Sequence, residues 1–217
     1  MISNTIAKRK SMPDIIAEEL KEAILTGKFK EGQALKQEEI AAMFETSLIP
    51  VREALRTLEV QGLVEFKINK GAFVSNLSVD EVKEIFEIRT MLESGAIEIA
   101  AENITGEDIE KAEAILDGMD NETDGKSLSR LNWKFHSIIY EASNRKKLIQ
   151  MIAPLHANVE RYMMLYLVDM KYHSTSQSEH RLILEACKNK NGKLASDILK
   201  AHLGLASEHL IEYLKRR

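Results

Sequence analysis

The 217-residue chain has one cysteine, three prolines and ten glycines. A single thiol, Cys187, excludes an internal disulfide, so a reducing cytoplasm is the expected setting. Its place in the apolar run "LILEAC" reads as a small buried hydrophobe rather than a reactive group. So few prolines and glycines leave little for the turns that a loop-rich β architecture needs. No apolar run is long: "YMMLYLV" (162–168) falls far short of the ~18 residues of a membrane span. The stretch "MISNTIAKRKS" lacks the apolar core of a signal peptide. Excess positive charge is missing too. The formal net charge is −4, and residues 1–75 hold eleven cations and eleven acids. Any contact with nucleic acid must therefore rest on where a few charges sit, not on their total.

What is present favours helices. Apolar residues are 44% and charged residues 29% of the chain, the balance of a globular protein. Residues 12–27 have an amphipathic period through Ile15, Ile16, Leu20, Ala23 and Ile24. "KQEEIAAMF" (36–44) predicts a short helix. "ETSLIP" predicts a turn with a proline suited to a first helical turn. "VREALRTLEVQGL" (51–63) predicts the next helix, its core face Val51, Ala54, Leu55, Leu58 and Gly62. Arg52 and Arg56 lie four apart on the opposite face. "GLVEFKINKGAFV" then sets β-formers around Asn69-Lys70-Gly71, a small hairpin.

Character changes near residues 74–78. After that point every segment has helical period: about 79–102, a second to about 118, then 128–142, 145–168, 174–189 and 192–215. "SVDE" at Ser78 opens the first with capping-box spacing. The expected architecture is mainly α. Residues 1–75 form a winged helix-turn-helix with a β-hairpin wing, and residues 76–217 an antiparallel bundle of six helices.

In a winged helix-turn-helix the second helix enters the major groove. Arg52 and Arg56 there suit a phosphate or guanine O6/N7. Lys70 and Gly71 at the wing tip suit close approach to the backbone. The competing reading pairs Arg52 and Arg56 with Glu53, Glu59 or Glu45 on a solvated surface. In the bundle, His136, His180 and His202 each occupy an apolar-type face of a different helix, and Asn132 precedes His136 by four residues. Imidazoles and an amide oxygen suit a divalent transition metal: Zn, Ni, Mn or Fe. From spacing alone, each histidine is more readily a hydrogen-bonded core or boundary residue. His156, His173 and His209 read as surface or boundary groups. Arg89 and Arg161 lie on mostly apolar helices and suit an effector carboxylate. A structural ion pair with Glu93, Glu160 or another acid is the alternative for them.

"PVREALRTLEVQGLVEFKINKGAFV" (50–74) and "EGQALKQEEIAAMFETS" (31–47) resemble the N-terminal domain of GntR-type bacterial transcription regulators. The resemblance implies that Arg52 and Arg56 are recognition-helix arginines, with Ser47 at the helix entrance and Lys70 and Gly71 at the wing tip. Where the family usually has Ser-Arg-Thr, this chain has Ser47-Leu48-Ile49, so its operator preference or affinity is expected to differ. "EIRTMLESGAIEIAA" (87–101), "LNWKFHSIIYEASN" (131–144), "SEHRLILEACKNKN" (178–191) and "AHL" (201–203) resemble the FCD effector domain of the FadR branch, in its six-helix, VanR-like form. That resemblance implies a metal held by Asn132, His136, His180 and His202. The leading expectation is a transcription regulator, a repressor or an activator, that binds a palindromic double-stranded operator as a homodimer and has no membrane partner; neutral metal ligands favour a small carboxylate as its effector. Asn132 stands where an Asp is common, and a neutral amide leaves the ion more positive. Two other readings stay open: a metal-dependent hydrolase, in which Glu179 beside His180 is the only adjacent acid, and a helical bundle whose metal is purely structural.

Overall fold

The computed structural model describes residues 10–76, 78–169 and 173–216, and the side chains of 161–169 and 173–174 lie outside that description. The chain divides into two compact units, 1–76 and 77–217.

The first unit runs α1 (Met12–Leu25), β1 (Ala34–Leu35), α2 (Gln37–Met43), α3 (Leu48–Val60), β2 (Val64–Lys67) and β3 (Gly71–Val74). Ser11 opens α1 through a reciprocal capping box with Asp14. Ile16, Leu20 and Ile24 of α1 and Val51, Leu55 and Leu58 of α3 are all at most 2% exposed and form the core between these packed helices. Truncating one of them to alanine costs about 2–5 kcal/mol. Helix α3 starts three residues before the expected position. Ser47 takes the extended N-cap conformation, and Pro50 falls in the first turn, where a missing N–H breaks no helical bond. It also stops early, because Gly62 adopts a left-handed conformation (φ 67°).

The wing forms where the β-formers lie, with Val64 opposite Val74 and Lys67 opposite Gly71. It also gains a third strand that the sequence reading lacks. Ala34 and Leu35 pair with Phe73 and Ala72, giving the order β1-β3-β2.

The second unit contains α4 (Val79–Asn103), α5 (Gly106–Asp120), α6 (Gly125–Glu141), α7 (Lys146–Asp169), α8 (His173–Lys188) and α9 (Gly192–Lys215). Ser78, Thr105, Asp124 and Asn191 each accept a backbone N–H at a helix start. Helix α4 packs along α9. Their shared core includes Phe86, Ile97, Ala100, Leu199, Leu203 and Leu210. Gly192 permits the close approach: a Cβ there would lie 2.5 Å from the Glu98 carbonyl oxygen. Among the described residues, no helix is long and apolar enough to cross a membrane.

Candidate functional site

Three helices bring the imidazoles together. His136 comes from α6, His180 from α8 and His202 from α9, at 2%, 0% and 6% exposure. Ring centroids are 5.0 Å apart for His136–His180, 5.5 Å for His136–His202 and 4.7 Å for His180–His202. One nitrogen from each lies within 4.8 Å of the others. Two nitrogens bound to one ion at ~2.1 Å are at most ~4.2 Å apart, so a small inward turn of the rings suffices. Asn132 is buried one turn before His136 on the same face of α6. Phe135 supplies an apolar wall, 5.2 Å from His136 and 4.9 Å from His180.

The outer edge of each ring decides whether a metal fits. The Gln177 amide nitrogen donates to the Leu116 carbonyl (3.1 Å) and to Asp120 Oδ1 (2.9 Å). Both of those partners only accept, which fixes the amide orientation. Gln177 Oε1 therefore faces His180 Nδ1 at 3.1 Å as an acceptor, and His180 Nδ1–H donates. The Glu179 carboxylate likewise accepts from His202 Nδ1–H at 2.7 Å. Protonation at Nδ1 leaves Nε2 with its lone pair, the form that binds metals, and an oxygen behind the ring raises its basicity. His136 Nδ1 lies 3.3 Å from the Tyr140 hydroxyl. Burial first, then the charges that His180, His202, Arg89 and His156 would add, hold His136 well below the usual imidazole range. It is neutral at physiological pH, as a ligand must be. The donor set thus fits a divalent transition metal.

Of the other candidate residues, some sit as expected and some do not. Glu179 is the orienting partner of His202. His156 is buried, not at the surface: it is 5% exposed, with its ring 4.6 Å from Trp133. It follows Ile152 by one helical turn and precedes Val159, both 0% exposed, so the apolar face of α7 carries it inward. His209 is half-buried. The side chains of His173 and Arg161, and of the whole "RYMMLYLV" piece, lie outside the described residues. Arg89 is 4% exposed and donates to Glu93 Oε1 at 2.7 Å, an ion pair one helical turn long. Burial holds the Cys187 thiol up at about 12.

In the first unit, Arg52 and Arg56 point outward from α3. Arg52 Nε–H donates to Gln37 Oε1 at 2.8 Å, joining α3 to the start of α2. Arg56 lies over the Phe66 ring at 4.3 Å and pairs with Glu59 at 2.6 Å. Its side chain is 65% exposed, so that pair is worth little and yields readily to another anion. Ser47 is exposed at the N-cap and forms no capping bond. Lys70 and Gly71 are exposed at the hairpin tip, and Gly71 has φ 89°. Gln37, Tyr140, Glu93, Gln177 and His156 escaped the sequence reading as site residues. Tyr140, one turn after His136, and Gln177, three residues before His180, carried the only local signals.

Fold and site together define a winged helix-turn-helix protein with an appended helical domain built around a histidine cluster. Residues 14–74 match the bacterial regulatory proteins of the gntR family, and residues 84–205 match the FCD domain. The HTH-type transcriptional regulator YdhC of Bacillus subtilis is 30% identical, over 91% of this chain and 90% of its own length. LutR of Bacillus subtilis, also an HTH-type transcriptional regulator, is 28% identical over 88% of this chain and 98% of its own. The solved structure of McbR/YncC from E. coli shares the fold at TM-score 0.79, with 22% identity over 96% of this chain and 100% of that one. The chain belongs to the GntR family of bacterial transcription regulators and carries an FCD ligand-binding domain. It is a regulator, not an enzyme.

Proposed function

We propose that this chain is a one-component, cytoplasmic repressor that binds a palindromic operator as a homodimer. Its helical domain senses a small carboxylate at a divalent metal held by Asn132, His136, His180 and His202. The observation that carries the sensing half is the orientation of the imidazoles. His180 and His202 are held by oxygen acceptors at Nδ1, with their metal-binding nitrogens near a third ring. Any buried imidazole N–H needs an acceptor, so the support comes from the acceptors lying at Nδ1 while three rings converge to within 4.8 Å of one another. The ion would act as a Lewis acid with a position open to an anion.

For the DNA half, two arginines one turn apart on α3 support a major-groove reading, with Lys70 and Gly71 on the flanking backbone. Gln37 holds Arg52 from the neighbouring helix, which limits the freedom lost on binding. Ile49 is 68% exposed in the first turn of α3 and offers an apolar surface suited to a thymine methyl. A dimer would present two such helices to two half-sites. Arg89 is committed to Glu93. Arg161 is retained as a proposed effector contact.

Elemental analysis with native mass spectrometry of the purified chain tests metal, co-purified acid and subunit number together. The reading expects one metal per chain and an even-numbered assembly. Titrating metal-loaded protein with small carboxylates should raise its melting temperature. A metal that resists chelation without unfolding, combined with no carboxylate response, would leave only a structural role.

A further inference from the structure

Tyr140 stands between the histidine cluster and a buried ion pair on another helix. Its hydroxyl donates to Glu93 Oε2 at 2.6 Å, and His136 Nδ1 lies 3.3 Å from that hydroxyl oxygen. Glu93 is 1% exposed, and its other oxygen accepts from Arg89 at 2.7 Å. A phenol has one proton. The short contact to a carboxylate that also accepts from Arg89 takes that proton, because such charge-assisted bonds are the stronger ones. The phenol oxygen then has only lone pairs to offer His136. The imidazole must donate from Nδ1, which leaves Nε2 open toward His180 and His202.

We propose that Tyr140 and Glu93 are positioning residues for His136: a phenol polarised by the Glu93–Arg89 pair fixes the Nδ1–H tautomer and presents Nε2 to the ion. This rests on the metal reading above. It gives each of the three imidazoles an acceptor of its own, Tyr140, Gln177 or Glu179, and each acceptor is held by further groups or charged itself. It also assigns Arg89 and Glu93 a shared task inside the protein. The pair sets the direction of one proton, two bonds away from the cluster, rather than meeting an effector. Because Glu93 belongs to α4 and His136 to α6, the relay ties a ligand to a helix that supplies none.

The full-length chain and its Tyr140→Phe variant test this. Zn²⁺ and Co²⁺ serve as probes, with affinity read by chelator competition and Co²⁺ coordination by its visible d–d absorption. The expected result is a 10- to 100-fold weaker affinity in Tyr140→Phe, with the metal-free fold retained by circular dichroism. Ring ¹⁵N–¹H correlation spectra of metal-free protein supply the readout that a packing role would not move. His136 should be Nδ1-protonated in the wild type and a mixture of tautomers in Tyr140→Phe. In the charge-neutral double variant Arg89→Met/Glu93→Met, which leaves the phenol no acceptor at position 93, the freed phenol proton should turn to Nδ1 and the Nε2–H form should dominate. Unchanged affinity and an unchanged His136 tautomer in Tyr140→Phe would overturn the proposal. A wild type that takes up neither ion would end the metal reading, while the tautomer measurement would still decide the role of Tyr140 and Glu93.

Discussion

Helix α9 carries two glycines whose replacement by alanine should act in opposite directions. At Gly192, in the first turn, a Cβ would lie 2.5 Å from the Glu98 carbonyl oxygen and 3.2 Å from the Glu98 carbonyl carbon and Cα. The closest favourable carbon–oxygen contacts are about 3.3–3.6 Å, so α9 must back away from α4 by roughly 0.8–1 Å. The obstructing atoms are backbone in the middle of a long helix, so no side-chain rotation relieves them. Overpacking of this kind costs about 1–3 kcal/mol. Alanine's better helix propensity returns at most about 1 kcal/mol, and less at a helix start. The net destabilisation of Gly192→Ala should be about 1–2 kcal/mol, or a melting temperature about 2–8 °C lower. At Gly204, twelve residues along the same helix, nothing lies within 4 Å of a built Cβ. Gly204→Ala should therefore be neutral or stabilising by up to about 1 kcal/mol, since only the propensity and unfolded-state effects remain. Thermal unfolding of both variants, metal-free and at fixed pH, is the assay. If Gly192→Ala melts at or above the wild-type temperature, the close α4–α9 approach is not what that glycine serves. The displacement would also move His202, ten residues further along α9, so Gly192→Ala should bind Zn²⁺ more weakly than Gly204→Ala does.

Three further outcomes are expected. Arg52→Ala/Arg56→Ala should abolish specific operator binding in gel-shift or anisotropy assays and lower the salt dependence, with metal content unchanged; retained binding would remove α3 as the reading helix. His180→Ala should reduce metal stoichiometry below one per chain and, by leaving the buried Gln177 Oε1 without its His180 donor, should lower chelated-protein stability by about 1–3 kcal/mol; full metal retention by elemental analysis would exclude His180 as a ligand. Cys187 has its thiol pushed up to about 12 from 9.0. Between those values the unfolded chain releases a proton that the native chain keeps, so this group's stabilisation is intact below pH 9 and declines as pH rises, by up to about 1.4 kcal/mol per unit. Native protein at pH 8 should accordingly resist a thiol-specific disulfide reagent until it opens or unfolds; rapid labelling of the intact fold would contradict the burial.

The helices of the second unit are legible mainly through their period, and the capping box at Ser78 marks the first start. Asp124 caps α6, which begins at Gly125, three residues before the expected start at 128, because the polar first turn carries no apolar period. Helix α3 begins three residues before the expected position because Pro50 is its third residue, and any of the first few positions tolerates a missing N–H. Strand β1 has two residues and no alternation to read; the Ala34–Phe73 and Leu35–Ala72 pairings exist only once β3 is in place. The histidine cluster showed through one imidazole on each of three apolar faces. Its support did not, because Glu93 lies 47 residues from Tyr140 and Glu179 lies 23 from His202. Such contacts are set by helix packing, and a local pattern has no means of recording them. His156 was misjudged for another reason: it matched no motif, yet its spacing from Ile152 and Val159 already placed it on a buried face.

The charges around the cluster bear on what the proposed metal would accept. Asn132 is neutral, and His136 is kept neutral by burial. The other two proposed ligands are imidazoles, which bind metals uncharged. The described groups that touch the rings or the relay behind them bring Glu179, Glu93 and Arg89, and behind Gln177 also Asp120, which pairs with Arg181 at 2.6 Å. Arg89 offsets Glu93 and Arg181 offsets Asp120, so one negative charge, on Glu179, is left to face a divalent ion. The remaining single positive charge would sit in a buried site where an unpaired ion is costly. An aspartate at position 132 would cancel it within the protein. With asparagine there, an anion from outside is the remaining way to balance it, and one negative charge suffices. On the proposed reading, the same residue that would weaken the protein's own hold on a metal would strengthen the demand for an anionic ligand and favour a monocarboxylate over a dianion.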